Sequence, residues 1–213
     1  MSDSLRINLD LGASGIKAAV VDGAYSVLAE AAASYETQSP EPGWAEQRPD
    51  GWWRACSEAI AAAGRKVSLA AIDRVTLSGD LRGAVFLDGE MEVIRPAILG
   101  ADVRAAGGFG LVVQWLRGNQ TIAFKRLQHL LTPQSYVRFL LTGELAIESD
   151  DAATTGLFDS RVGEWSVALC DDAEINLDLL PKVNEGRELR VLDNIADEFG
   201  LCTGTLVVAG RSS

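Results

Sequence analysis

Near its start the chain has three segments in which apolar and polar residues alternate, separated by short turns. We predict strands at residues 6–10, 16–22 and 26–35, because a period of two places the apolar side chains on one face of a sheet. The stretch DLGASGIK joins the first two. Strands with such short connections form an antiparallel ribbon, and the apolar face of this ribbon has to be covered by the rest of the chain.

The segments that follow alternate between helical and strand patterns. The stretch SPEPGWAEQRPDG is predicted to be loop, and Pro49 suits the first turn of a helix that runs to Gly64. Further strands are predicted at 73–78, 84–88, 93–99 and 205–209, and helical segments at 111–116, 122–141 (interrupted by Pro133) and 191–199. This order predicts an α/β fold with a mixed sheet and flanking helices. No repeat or linker divides the chain, so we expect a single domain over residues 1–213.

Composition excludes several classes of function. The formal net charge is −11, which argues against nucleic acid as a partner, because affinity for the phosphate backbone rests on clustered Lys and Arg. The opening MSDSLRINLD has no basic region followed by an apolar core, and no apolar run approaches the roughly 20 residues that cross a bilayer. We therefore expect no membrane partner and a cytoplasmic location.

Cysteine and histidine chemistry is not indicated. Cys56, Cys170 and Cys202 are widely spaced and form no C-x-x-C, so we expect ordinary reduced thiols rather than a disulfide framework or a zinc site. His129 is the only histidine, and no serine or cysteine is linked to it by a recognisable motif. We expect it on a helix surface or partly in the core.

The stretch DLGASGIK has two readings from its residues alone. It lacks the G-x-x-x-x-G-K-[ST] spacing of a P-loop, but glycine lets a backbone approach an anion closely. A phosphate-binding turn and a plain hairpin turn both use Gly12 and Gly15.

The order of motifs resembles the N-terminal domain of the FGGY carbohydrate kinases, most closely the xylulose kinases. The matching segments include LDLGASGIKAAVVD, PEPGWAEQRPDGWWRA, LSGDLRGAVFLD, VIRPAILGADVR, YVRFLLTGELAIESDDAATTGLFD and GTLVVAG. The resemblance implies a ribonuclease H-like (actin-like ATPase) fold. It also implies that a second, C-terminal nucleotide-binding domain, absent from these residues, holds most of the ATP.

In this family the first turn of the ribbon faces the ATP phosphates, so the resemblance implies ATP and Mg²⁺ as ligands. The residues at the phosphate turn are Gly12, Ala13, Ser14 and Gly15. The resemblance makes Asp10 the acid that holds the metal and Lys17 a neighbour of the phosphates. Ala13 stands where the family has a threonine or serine, so one hydroxyl is missing.

The sugar side departs further from the family pattern. The family motif G-Q-M-H-G is GDLRG here, so the substrate-binding positions hold Asp80, Leu81 and Arg82. The motif W-N-D-x-R is GADVR, which keeps Asp102 and Arg104 but loses the aromatic wall and the amide. These last two residues could bind sugar hydroxyls or form a structural ion pair.

Two further departures concern the cleft and its chemistry. Between Arg104 and the W-L at 115–116 the chain is about two dozen residues shorter than the family, which either opens the cleft or repacks Phe109 and Trp115. The family continues V-V-A-G-G-G-D-N, and that aspartate is the catalytic base, whereas this chain reads VVAGRSS. Asp80 is the nearby candidate to replace the base, and Arg82 would lower its basicity if the two side chains met.

Two functions follow from the resemblance. The chain is either the sugar-side half of a kinase that phosphorylates a ketose or polyol and is inactive alone, or a non-catalytic module that binds a small polyol, a nucleotide or a protein. Because a missing domain exposes a surface that the family covers, we expect a homodimer or a partner chain carrying the second domain.

Overall fold

The glycine turn near the start of the chain joins the first two strands of a mixed sheet. The computed structural model describes residues 5–184 and 186–210. Its strands are β1 (Leu5–Leu11), β2 (Gly15–Val21), β3 (Val27–Ser34), β4 (Glu46–Gln47), β5 (Ile72–Gly79), β6 (Gly83–Leu87), β7 (Ala97–Leu99), β8 (His129–Leu131), β9 (Ala146–Glu148), β10 (Phe158–Asp159), β11 (Glu164–Trp165), β12 (Lys182–Asn184), β13 (Leu189–Arg190) and β14 (Leu206–Ala209).

The α-helices come between these strands. They are α1 (Pro49–Gly64), α2 (Phe109–Asn119), α3 (Thr121–Arg126), α4 (Pro133–Thr142), α5 (Ser149–Ala153), α6 (Val167–Asp172) and α7 (Asp193–Phe199). Short 3-10 turns lie at Leu69–Ala71, Val103–Ala105 and Leu177–Leu179. No helix among the described residues is both long enough and apolar enough to cross a bilayer.

The main sheet has six strands in the order β13-β14-β5-β1-β2-β3. Strands β1, β2 and β3 pair antiparallel, which confirms the predicted ribbon, and β1 and β14 pair parallel with β5. The register places Asp10 beside Lys17 on one side and Ser78 on the other. The mixed sheet predicted from the sequence is confirmed, and the ends of β1, β5 and β14 lie together at one edge.

One face of this sheet is covered by α1, as its spacing predicts. The helix begins at Pro49 and ends at Gly64, and its buried side chains include Trp52, Cys56 and Ile60 at helical spacing. The Trp52 ring packs edge-on against Tyr136 of α4, with ring centroids 6.2 Å apart. Burial of this apolar stripe against the ribbon holds the helix in place.

The prediction of a strand at 93–99 is mostly wrong. Only Ala97–Leu99 forms a strand, in a second sheet with the order β4-β7-β6-β8. Pro96 has no backbone N–H to donate, and the Arg95 side chain instead forms an ion pair with Glu46. The first half of the segment makes only an isolated bridge from Val93 to Leu87.

The helical reading of residues 122–141 also needs correction. Helices α3 and α4 do form, but β8 lies between them, and His129 is on this strand rather than on a helix. Leu130 pairs with Phe86 of β6, so the pairing partner overrides the local helical spacing. Helix α4 begins with a capping box between Thr132 and Ser135.

Candidate functional site

The turn between β1 and β2 is fixed by hydrogen bonds to its carbonyl groups. The Tyr35 hydroxyl lies 2.5 Å from the carbonyl oxygen of Gly12 and 3.0 Å from that of Gly15. The Gln47 side-chain amide donates to the Ala13 carbonyl at 2.8 Å, and the Tyr35 backbone N–H donates to the Ser14 carbonyl at 3.1 Å. All four carbonyls of the turn therefore have partners within the protein.

Two backbone amide groups of the same turn are free to bind a ligand, whereas the Gly12 N–H donates to the Gly15 carbonyl. Among the described residues, nothing accepts a hydrogen bond from the backbone N–H of Ala13 or Ser14, and both residues are exposed. Successive unpaired N–H groups in a turn form a concavity that binds anions. This arrangement suits a phosphate, because the four carbonyl oxygens of the turn already have partners within the protein whereas two of its amide groups do not.

Tyr35 remains a neutral donor beside two acids. Burial raises the pKa of the Tyr35 hydroxyl well above its usual range, and the carboxylates of Asp10 and Asp80 raise it further. The two predicted site acids thus act on one side chain, although one belongs to the phosphate turn and the other to the sugar motif.

Asp10 lies exposed at the sheet edge where β1, β5 and β14 end. The Ser78 hydroxyl is 3.4 Å from its Oδ1, and a cavity of about 520 Å³ on this edge also includes Gly210. Lys17 lines the same cavity, but its ammonium forms an ion pair with Glu30 at 2.6 Å. A phosphate would have to compete with Glu30 for this lysine.

The residues at this edge could bind Mg²⁺ only if a phosphate group supplied further ligands. Within residues 5–184 and 186–210, no group of three or more His, Cys, Asp or Glu side chains is placed to hold a metal ion. Mg²⁺ commonly keeps several waters and binds through one or two carboxylates together with substrate phosphates. Asp10 and Ser14 line a common cavity, so a carboxylate and the turn face one space, which suits that donor set.

A second cavity, of about 380 Å³, also includes Gly210 and is lined by residues of the GDLRG segment; we call it the sugar-side cavity after the role predicted for that segment. Both Asp80 and Arg82 line it, and neither side chain forms a hydrogen bond or an ion pair with another described residue, although the Arg82 carbonyl accepts from the Gly100 N–H at 2.8 Å. The two side chains do not form an ion pair with each other, so the condition under which Arg82 would act on Asp80 is not met. Leu81 also lines this cavity, although most of its side chain is buried in the main core.

The backbone before Asp80 is shaped by a glycine. Gly79 has a φ of +144°, and a Cβ at this position would lie 2.2 Å from the carbonyl oxygen of Leu11. The Gln134 side chain at the start of α4 donates to the Gly79 carbonyl at 2.6 Å. This close approach positions Asp80 and Arg82 at the cavity and explains why only glycine fits there.

The opposite wall of the sugar-side cavity carries acids that sequence reasoning missed. Glu148 accepts from the Asn184 amide at 2.7 Å and pairs with the buried Arg138 at 3.1 Å. Asp151 accepts a hydrogen bond from the Thr132 hydroxyl. Burial raises the pKa of Asp151 from 3.8 to about 6, against the opposing effects of Thr132 and Arg138. The run ESDD at 148–151 was the available signal.

Asp102 and Arg104 do not line this cavity. Arg104 pairs with Asp102 at 2.6 Å and with Glu46 at 2.7 Å, and all three side chains are buried. The Arg104 guanidinium also stacks 3.5 Å from the Trp44 ring. Of the two alternatives, the geometry favours a structural ion pair over contact with a sugar.

The whole chain matches a known domain family. The profile described as "FGGY family of carbohydrate kinases, N-terminal domain" matches residues 5–111 and 108–212. The chain belongs to the FGGY family of carbohydrate kinases. The two matches meet at 108–111, inside the segment predicted to be shortened, and there α2 begins directly after Gly108.

Individual FGGY relatives agree with this assignment. The chain is 29% identical to a xylulose kinase of Escherichia coli (strain K12) over 229 residues, covering 96% of this chain and 47% of the relative. It is 31% identical to a xylulose kinase of Bacillus subtilis (strain 168), with 96% and 46% coverage. A "xyloylose kinase" structure from Brucella ovis superposes with a TM-score of 0.86 at 30% identity, covering 97% of this chain and 48% of that one.

The chain spans about half the length of these FGGY relatives. The alignment with the E. coli protein runs over 229 residues, which exceeds the 213 of the chain, so that relative has residues without a counterpart here. At the junction, Phe109 is buried in a second core, while Trp115 packs edge-on against Trp44 with ring centroids 5.3 Å apart. Both aromatic side chains are therefore used in packing.

Proposed function

We propose that this chain is the sugar-side half of an ATP-dependent carbohydrate kinase that acts on a ketose or polyol. The observation that carries the proposal is that the Asp10 cavity and the Asp80 cavity both include Gly210 at the edge of the main sheet. A phosphate group on one side and a sugar hydroxyl on the other would approach each other across that residue.

Each side offers groups suited to its ligand. The free N–H groups of Ala13 and Ser14 would hold phosphate oxygens, and Asp10 would hold Mg²⁺ through oxygen or water. Bound Mg²⁺ neutralises the charge that develops on the transferred phosphoryl group. Asp80 accepts and Arg82 donates hydrogen bonds, so together they can bind neighbouring hydroxyls.

We further propose that these 213 residues do not catalyse phosphoryl transfer alone. Phosphoryl transfer depends mostly on positioning both reactants, and a second domain on a partner chain would supply the remaining ATP contacts. Asp80 would serve as the base only if it reached the attacking hydroxyl.

The test is an assay for ADP formed from Mg-ATP with D-xylulose, L-ribulose or glycerol. We expect no product with the chain alone. Robust product that disappears in Asp80→Asn would contradict the proposal and identify a relocated base. Product that survives Asp80→Asn and vanishes in Asp10→Ala would show that metal and positioning suffice.

The second candidate is a non-catalytic binding module. The commitment of Asp102 and Arg104 to a buried ion-pair cluster favours it, because these two motif positions then make no ligand contact. Product formation after addition of a chain that carries the second domain would exclude this candidate.

A further inference from the structure

The carboxylate of Asp151, on the wall of the sugar-side cavity opposite Asp80, has one oxygen in use and one free. The Thr132 hydroxyl donates to Oδ2, whereas nothing in the described part of the chain donates to Oδ1. An ionised carboxylate can only accept hydrogen bonds, and each of its oxygens has room for at least one. Oδ1 is therefore an acceptor that lacks a donor, on a residue that lines the cavity.

Thr132 holds this carboxylate in one position. Thr132 is buried at the N-cap of α4, where its Oγ1 accepts from the Ser135 backbone N–H at 3.1 Å and donates to Asp151. The Asp80 side chain, by contrast, has no hydrogen bond or ion pair with another described residue. A side chain that is already fixed loses less conformational freedom when a ligand binds, so Asp151 is the better prepared of the two acids.

The charge of Asp151 is not balanced by an ion pair. Arg138 lies 3.1 Å from Glu148, and no cation that the structure describes is paired with Asp151 in the same way. Arg138 lowers the pKa of Asp151 and Glu148 raises it, and burial outweighs both and raises it to about 6. The charged groups around Asp151 are Arg138 of α4, Glu148 of β9, Asp150 of its own helix, and Asp80 and Arg82 across the cavity.

We infer that Oδ1 of the ionised Asp151 accepts a hydrogen bond from a hydroxyl of the bound sugar, on the side opposite the hydroxyls held by Asp80 and Arg82. The inference rests on the proposed function, because it adds a contact to the same sugar site. A hydroxyl that donates to the ionised carboxylate competes with the proton that would neutralise it. Sugar binding and protonation of Asp151 therefore exclude each other.

This competition has a size that can be measured. With a pKa of about 6, about a tenth of the Asp151 carboxyls are ionised at pH 5 and about nine tenths at pH 7. Apparent affinity falls in proportion to the fraction of protein that can bind. We expect D-xylulose to bind about tenfold more weakly at pH 5 than at pH 7, whereas a carboxyl with an ordinary pKa near 4 would change binding little over this range.

The test is calorimetric titration of the 213-residue protein with D-xylulose across this pH range. Titrations near pH 6 in two buffers with different heats of ionisation report the proton balance, and we expect about half a proton released per sugar bound. Asp151→Asn should abolish both the release and the pH dependence, because an amide does not ionise. With its oxygen toward Thr132, the asparagine would also present an N–H donor to the cavity in place of an acceptor.

Asp172→Asn is the matched control. It removes an exposed carboxylate on α6, outside the cavity, and should keep both effects. Proton release by the wild type needs no variant, so it decides the matter even if Asp151→Asn fails to fold.

Equal affinity at the two pH values without proton release, or a pH dependence that survives Asp151→Asn, would overturn the role of Asp151. The sugar binds in both of these cases, so the proposed function would stand. Absence of D-xylulose binding at every pH would overturn both proposals.

Discussion

The Tyr35 hydroxyl fixes the turn at residues 12–15, because it lies within hydrogen-bond distance of both the Gly12 and the Gly15 carbonyl oxygens. Tyr35→Phe should lower the free energy of unfolding by about 1 kcal/mol, since the Gly12 carbonyl loses its donor. It should also weaken the binding of Mg-ATP. Urea unfolding and calorimetry measure the two effects.

Tyr136→Phe is the matched control for this change. Tyr136 is buried to the same extent, but its hydroxyl makes no hydrogen bond with another residue that the structure describes. Equal losses of stability in the two variants would contradict the role given to Tyr35.

Asp151 makes stability depend on pH. Its folded-state pKa of about 6 lies above the ordinary 3.8, so the folded protein binds this proton more tightly than the unfolded chain does. That contribution is fully present below pH 3.8 and is lost as the pH rises through 6. The free energy of unfolding of the wild type should therefore fall by up to about 3 kcal/mol between acidic and neutral pH, relative to that of Asp151→Asn, which lacks the titrating group.

Chemical denaturation across this pH range measures the effect, with the exposed neighbour Asp150→Asn as control. A constant difference between Asp151→Asn and wild type at all pH values would show that Asp151 titrates normally.

At the level of elements, Gly108 connects the shortened segment to α2. It has a φ of +75°, and an added Cβ would lie 2.3 Å from the Thr155 carbonyl oxygen. Alanine in a backbone conformation with positive φ costs roughly 1–2 kcal/mol. Gly108→Ala should lower the free energy of unfolding by more than this, because the clash adds to the backbone strain. Thermal unfolding followed by circular dichroism measures the loss.

Gly118→Ala changes the same residue type near the other end of α2. Nothing lies within 4 Å of the added Cβ, so this variant should gain roughly 0.5–1 kcal/mol from helix propensity. A Gly108→Ala protein as stable as Gly118→Ala would contradict the close approach.

The elements that were predictable from the sequence are those whose pattern is local. Alternation specified β1, β2 and β3, and Pro49 with an apolar stripe specified α1. Strand β8 was not predictable, because its pairing with β6 overrides a helical spacing. The same difference between local and long-range signals applies to the residues of the candidate site.

Motifs located the Asp10 turn and Asp80, whereas the acids of the opposite wall depend on how distant segments meet. Asp102 and Arg104 could not be assigned, because a spacing of two suits a sugar contact and an ion pair equally. Only the position of Glu46 between Arg95 and Arg104 separates the two readings.

At the scale of the whole molecule, the chain is an FGGY N-terminal domain that spans about half the length of its relatives. The turn at residues 12–15 and the cavity lined by Asp80 and Arg82, to which we assign phosphate and sugar binding, are both formed within these residues. We therefore expect ligand binding to persist where catalysis does not, because binding needs one wall of the cleft and phosphoryl transfer needs both.

Calorimetric titration with D-xylulose, and separately with Mg-ATP, tests this most directly. We predict weak binding of D-xylulose that is lost in Asp80→Ala and retained in Lys125→Ala, an exposed control outside the cavity. We predict weak binding of Mg-ATP that is lost in Asp10→Ala. Absence of binding for both ligands, or D-xylulose binding that is unchanged in Asp80→Ala, would contradict the assignment of the sugar-side half.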